Sequence, residues 1–149
     1  MLLSNLQILL KTLDPLLPIL YCLKVVIRAC FLDGVLGVSW VEGVEMTSVI
    51  FIRDYIQLVF EGINDTAILS TFTLPTVYNN DNAYNIDTKG YRDELCSLIN
   101  QNVEKVLLLE EAIQLIFELG RTIEISLREQ DYDSPEAAMF RRGDERVVW

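Results

Sequence analysis

The chain has 149 residues, 51% of them hydrophobic and 23% charged, a balance that suits one packed domain and excludes a disordered polymer. Its formal charge of −10 and pI near 4.4 oppose binding to nucleic acid and to anionic lipid headgroups, both of which require clustered Lys and Arg. There is no histidine, which excludes Ser-His-Asp and Cys-His catalysis, His general bases and His metal ligands together.

Composition changes near residue 40. Residues 1–40 hold three basic and two acidic side chains, and residues 41–149 hold nine and twenty, so the acidity belongs to the later part. The early stretch is predicted as a hydrophobic helical segment: Leu2, Leu3, Leu6, Leu9, Leu10 and Leu13 fall near helical spacing before Asp14-Pro15 stops the pattern. A second apolar run from Leu16 to Leu36 is interrupted by Lys24, Arg28 and Asp33, so no stable membrane insertion is expected. No basic leader precedes the first Leu run, which argues against export and for a cytoplasmic protein. The segment reads as a helical hairpin packed on the domain, as a membrane-surface segment, or as translation upstream of the biological start; the sequence leaves the three open. Residues 41–149 read as a single α+β domain.

That domain carries an internal repeat. Ile56-Gln57-Leu58-Val59-Phe60-Glu61 returns 57 positions later as Ile113-Gln114-Leu115-Ile116-Phe117-Glu118. Upstream, Val49 and Phe51 match Val106 and Leu108; downstream, Thr66–Ser70 matches Thr122–Ser126 with a one-residue gap. Each copy is predicted as an antiparallel β-meander, with strands near 44–52, 55–60 and 66–72, then near 103–109, 112–117 and 121–127. The period of two places Ile56, Leu58 and Phe60 on one face, and Ile113, Leu115 and Phe117 likewise; these faces need cover from the other copy or from a helix.

Between the copies, Tyr91, Leu95, Leu98 and Ile99 form one stripe of a predicted helix, with Asp93 and Glu94 in its first turn. A polar loop from Tyr78 to Lys89 precedes it. After the second copy, Ala138–Phe140 and Arg146–Trp149 are expected to form a closing hairpin about Gly143-Asp144.

Chemistry is sparse. Cys22, Cys30 and Cys96 are odd in number and lack C-x-x-C spacing, which suits reduced, mostly buried thiols. Asn64-Asp65-Thr66 spells a glycosylation sequon that matters only in a secreted chain. No phosphate-cradling or dinucleotide fingerprint is present, and no cofactor or metal is expected. The acidic segment Glu129, Asp131, Asp133 and Glu136 is the candidate interaction patch, although solvated turn residues would look the same. Tyr78, Tyr84 and Tyr132 are candidate anchors for a partner or closers of the core edge.

The motifs Tyr91-Arg92-Asp93-Glu94-Leu95-Cys96-Ser97-Leu98-Ile99, Ile125-Ser126-Leu127, Asp131-Tyr132, Pro135-Glu136-Ala137-Ala138-Met139 and terminal Val148-Trp149 resemble a group of small bacterial proteins, some of which look like immunity proteins of toxin systems. The resemblance spans about Gly43 to Trp149 and, together with the acidic charge and the missing catalytic groups, leads to the expectation of a non-enzymatic protein that binds a basic protein partner. The alternatives are an enzyme working with carboxylates alone, with or without a divalent ion at 129–136, and a structural module that dimerises through a sheet edge.

Overall fold

The computed structural model describes residues 37–149. The hydrophobic helical segment expected over 1–40 falls almost wholly outside the described residues, as do Cys22 and Cys30. The domain is α+β, as expected. In chain order its elements are β1 (Glu45–Phe51), β2 (Ile56–Glu61), β3 (Thr66–Thr71), β4 (Thr76–Asn79), β5 (Asn82–Tyr84) and helix α1 (Tyr91–Cys96). There follow β6 (Gln101–Leu108), β7 (Ala112–Phe117), β8 (Thr122–Ser126), β9 (Ala138–Arg142) and β10 (Glu145–Val148). The strands form one antiparallel sheet in the order β10-β9-β3-β2-β1-β6-β7-β8-β4-β5.

The sequence repeat is a structural one. Alternation buries Ile56, Leu58 and Phe60 in β2 and Ile113, Leu115 and Phe117 in β7, and leaves the residues between them half-buried. A bulge interrupts the β1–β2 pairing between Met46 and Ser48, and the β6–β7 pairing has the same bulge between Val103 and Lys105, 57 positions on. At the junction of the meanders, the Gly43 N–H donates to the Val103 carbonyl at 2.7 Å and the Asn100 N–H donates to the Met46 carbonyl at 2.8 Å. Each of these bonds is the other displaced by 57 residues. Gly43 and Asn100 both adopt left-handed backbone angles (φ 76° and 67°), a conformation glycine and asparagine tolerate best.

The third strands match differently from the sequence alignment. Leu58 pairs with Leu69 and Leu115 pairs with Ile123, so Leu69 corresponds to Ile123, a displacement of 54 rather than 56. The turn between β7 and β8 is shorter than that between β2 and β3. A two-residue shift keeps every side chain on its face, which is why the burial pattern concealed it.

The polar loop expected from Tyr78 to Lys89 contains strand residues over its first half. β4 and β5 form a hairpin with a two-residue turn at Asn80-Asp81, and β9 and β10 form its counterpart about Gly143-Asp144. The first turn residue has positive φ in both, 52° at Asn80 and 54° at Gly143, as tight hairpin turns require. The hairpins are exchanged between the copies: β4, which follows the first meander, pairs with β8 of the second, and β9, which follows the second, pairs with β3 of the first. Each half-sheet is therefore one meander completed by the other copy's hairpin, and the chain crosses between halves twice, over residues 72–75 and 127–137.

Helix α1 is shorter than the apolar stripe suggested. It ends at Cys96, after which Leu98 and Ile99 donate to Leu95 and Cys96 in tighter i→i−3 bonds and Asn100 turns left-handed. Leu95 and Leu98 are fully buried, as are Val38 and Val41 at positions 57 earlier, where Gly37–Ser39 forms a helical turn. Both meanders, α1 and this turn contribute to one hydrophobic cluster, with Phe60, Phe117 and Phe140 its largest fully buried side chains and Trp149 packed at its margin. Each such aromatic contributes about 1.5–3 kcal/mol by leaving water. Cys96, one of three thiols expected to be mostly buried, is exposed on α1. No helix among the described residues is long and apolar enough to cross a membrane.

Candidate functional site

The two crossovers and the turn between β1 and β2 enclose an open groove of about 790 Å³. The first crossover supplies Phe72, Thr73 and Leu74; the second supplies Asp131, Tyr132, Asp133 and Ser134; the turn supplies Arg53 and Asp54. The crossovers are tied together behind the groove, where the Phe72 and Thr73 N–H groups both donate to the Ala137 carbonyl at 2.9 and 3.1 Å.

The lining is acidic over an apolar base. Asp54, Glu124, Asp131 and Asp133 face a single cation, Arg53, which lies 3.9 Å from Asp54 in a fully exposed pair of little energetic consequence. Leu74 and Ile86 are 38% and 44% exposed and give the groove an aliphatic base. Some of the carboxylates are already engaged. Glu124, on β8, accepts hydrogen bonds from Gln114 Nε2 at 2.6 Å and from the Tyr78 hydroxyl at 3.3 Å. Burial raises the Tyr78 pKa above the ordinary phenol value, and the adjacent Glu124 charge raises it further, so Tyr78 stays a donor. Asp131 accepts from the Ser126 hydroxyl and lies 4.0 Å from Arg128 Nε, which also sits 3.5 Å from Glu111. Asp133 is exposed and has no hydrogen-bond or ion-pair partner among the described residues.

The structure divides the acidic segment read from the sequence. Asp131 and Asp133 line the groove; Glu129 sits in an exposed 3-10 turn, and Glu136 lies 3.8 Å from Arg146 beside β10. Among the described residues no group of three Asp, Glu, Cys or His side chains is placed to hold a metal ion. Of the three candidate tyrosines, Tyr132 lines the groove, Tyr78 supports Glu124, and Tyr84 packs against the core. Sequence reading missed Asp54, Glu124, Leu74 and Ile86, which converge only because the hairpins are exchanged. The turn at Glu61–Asp65 borders a second, shallower hollow of about 610 Å³ beside Trp40, whose ring is stacked by Arg142 at 5.0 Å.

The sheet's free edges are short. β5 has three residues, and β10 has four, including Glu145 and Arg146, so both carry the features that discourage edge-to-edge pairing. Comparisons with models of known families, with curated proteins and with solved structures each found no match.

Proposed function

We propose that this chain is a protein-binding module that seats a basic partner in the groove between its crossovers, the kind of interaction by which an immunity protein neutralises a toxin. One observation carries the reading: four carboxylates and one arginine line a groove of about 790 Å³ around exposed Leu74 and Ile86, with Arg128 beside Asp131 at its rim. Cationic side chains would meet the carboxylates, while apolar neighbours would cover the aliphatic base. The whole-chain charge of −10 adds a field that speeds encounter with a basic protein and repels acidic ones. The absence of histidine and the resemblance to immunity proteins agree with a role that involves no bond making or breaking.

The test is capture of the tagged protein from its native host at low salt, in parallel with an Asp131→Asn/Asp133→Asn variant. The reading expects a stoichiometric basic protein with the parent and about tenfold less of it with the variant, falling further as salt screens the contact. Equal recovery by both proteins, or an acidic partner, would overturn it.

A further inference from the structure

Resting on the docking reading above, we infer that the recognition element is the excess length of the second crossover, residues 128–136, and that it takes an extended segment in which an arginine or lysine neighbours an apolar side chain. The internal duplication supplies a control within the molecule. Thr71 and Ile125 occupy equivalent places opposite Ile56 and Ile113, and Thr76 and Met139 occupy equivalent places opposite Glu124 and Ser70. The first crossover joins its two points with residues 72–75, whereas the second uses residues 126–138, nine more. Four residues therefore suffice for the connection.

The additional residues do not serve the core. None of residues 128–136 is buried, and their ion pairs, Arg128 with Glu111 and Arg146 with Glu136, are solvent-exposed. Yet they supply Asp131, Tyr132, Asp133 and Ser134 to the groove. In duplicated architectures, length added to one copy alone gathers on binding faces, because it escapes the packing constraints that hold the copies alike.

A second observation points to a ligand. Thr73, on the opposite wall, is only 5% exposed, and its Oγ1 has no hydrogen-bond partner. A buried hydroxyl left unsatisfied is disfavoured, and because this oxygen is closed to solvent a polar group of a bound segment reaches it only with a shift of the first crossover. Asp133, without a partner among the described residues, is free to meet a cation, and Leu74 and Ile86 offer apolar area to its neighbour.

The experiment deletes Arg128 to Glu136 from the full chain, leaving Ser126, Leu127, Ala137 and Ala138 as a four-residue crossover. Binding is read by fluorescence anisotropy at low salt with an octapeptide alternating arginine and leucine. A Glu61→Gln/Glu104→Gln/Glu118→Gln variant, which loses the same three net negative charges away from the groove, controls for net charge. The deletion variant is expected to keep the parent's oligomeric state and cooperative folding while its affinity falls about tenfold or more, against less than about threefold for the control. A folded deletion variant that binds as the parent does would overturn the inference and leave docking elsewhere on the chain intact. A parent that binds no peptide would remove the docking reading and this inference with it. A deletion variant that fails to fold would refute the equivalence of the crossovers, and Asp131→Asn/Asp133→Asn then decides the placement: unchanged affinity overturns it.

Discussion

Leu119 and Ile63 stand at the tips of corresponding turns, 92% and 100% exposed, yet substitution by glycine should move stability in opposite directions. Leu119 adopts φ 60°, ψ 23°, a left-handed conformation in which its Cβ crowds the carbonyl that follows. That strain amounts to about 1–2 kcal/mol for a non-glycine residue. Removing it by Leu119→Gly sacrifices almost no buried area, and the added freedom of the unfolded chain offsets about 0.4–1 kcal/mol of the gain. The variant should therefore be about 0.5–1 kcal/mol more stable, a rise of about 2–5 °C in Tm for a domain of this size. Ile63 is not among the residues of positive φ, so Ile63→Gly relieves nothing and should lose about 0.4–1 kcal/mol through the unfolded state alone. Urea titration of the three proteins with equal m-values would measure this contrast. Destabilisation of Leu119→Gly by as much as Ile63→Gly would show that the turn carries no left-handed strain.

The duplicated core makes a paired prediction. Phe60→Ala and Phe117→Ala each empty an equivalent, fully buried site, and each should reduce stability by about 3–5 kcal/mol within a single unfolding transition. Two separate transitions in either variant would mean that the halves do not share a core. Tyr91, whose hydroxyl donates to the Pro75 carbonyl at 2.8 Å, has its pKa raised by burial, so it stays protonated in the folded chain at pH values where the unfolded chain has ionised. Its stabilising contribution is present below about pH 10, the ordinary phenol value, and is lost as pH rises above it. Tyr91→Phe should lower stability by about 1–3 kcal/mol at neutral pH by leaving that carbonyl unpaired, and should flatten the alkaline decline seen in denaturation from pH 9 to 11. A decline of the same steepness in the variant would assign the alkaline sensitivity to another group.

Different parts of the molecule were legible in the sequence to different degrees, for physical reasons. The central strands declared themselves because Ile56, Leu58 and Phe60, and their counterparts, must all face the core, and a period of two leaves no other reading. The third-strand register did not, because loop length trades against register in steps of two without moving any side chain to the wrong face. Asn79-Asn80-Asp81-Asn82 reads as loop by composition, yet Asn80 supplies the positive φ of a tight turn and the flanking Val77 and Tyr84 pack toward the core. With that hairpin unseen, the exchange of hairpins was unseen, and so was the difference in crossover length. Asp131 and Asp133 were within reach because they lie close together in sequence. Asp54, Leu74, Ile86 and Glu124 join them only through long-range pairing, which no local pattern encodes.

The most direct test of the account is amide hydrogen exchange of the full chain with and without the basic partner recovered from its host. Slowed exchange over residues 72–74 and 126–137, with the turns at Asn80-Asp81 and Gly143-Asp144 unchanged, is the predicted footprint. Protection confined to the outer faces of the sheet or to its edge strands, with both crossovers exchanging as in the free protein, would contradict the assignment of the groove as the docking site.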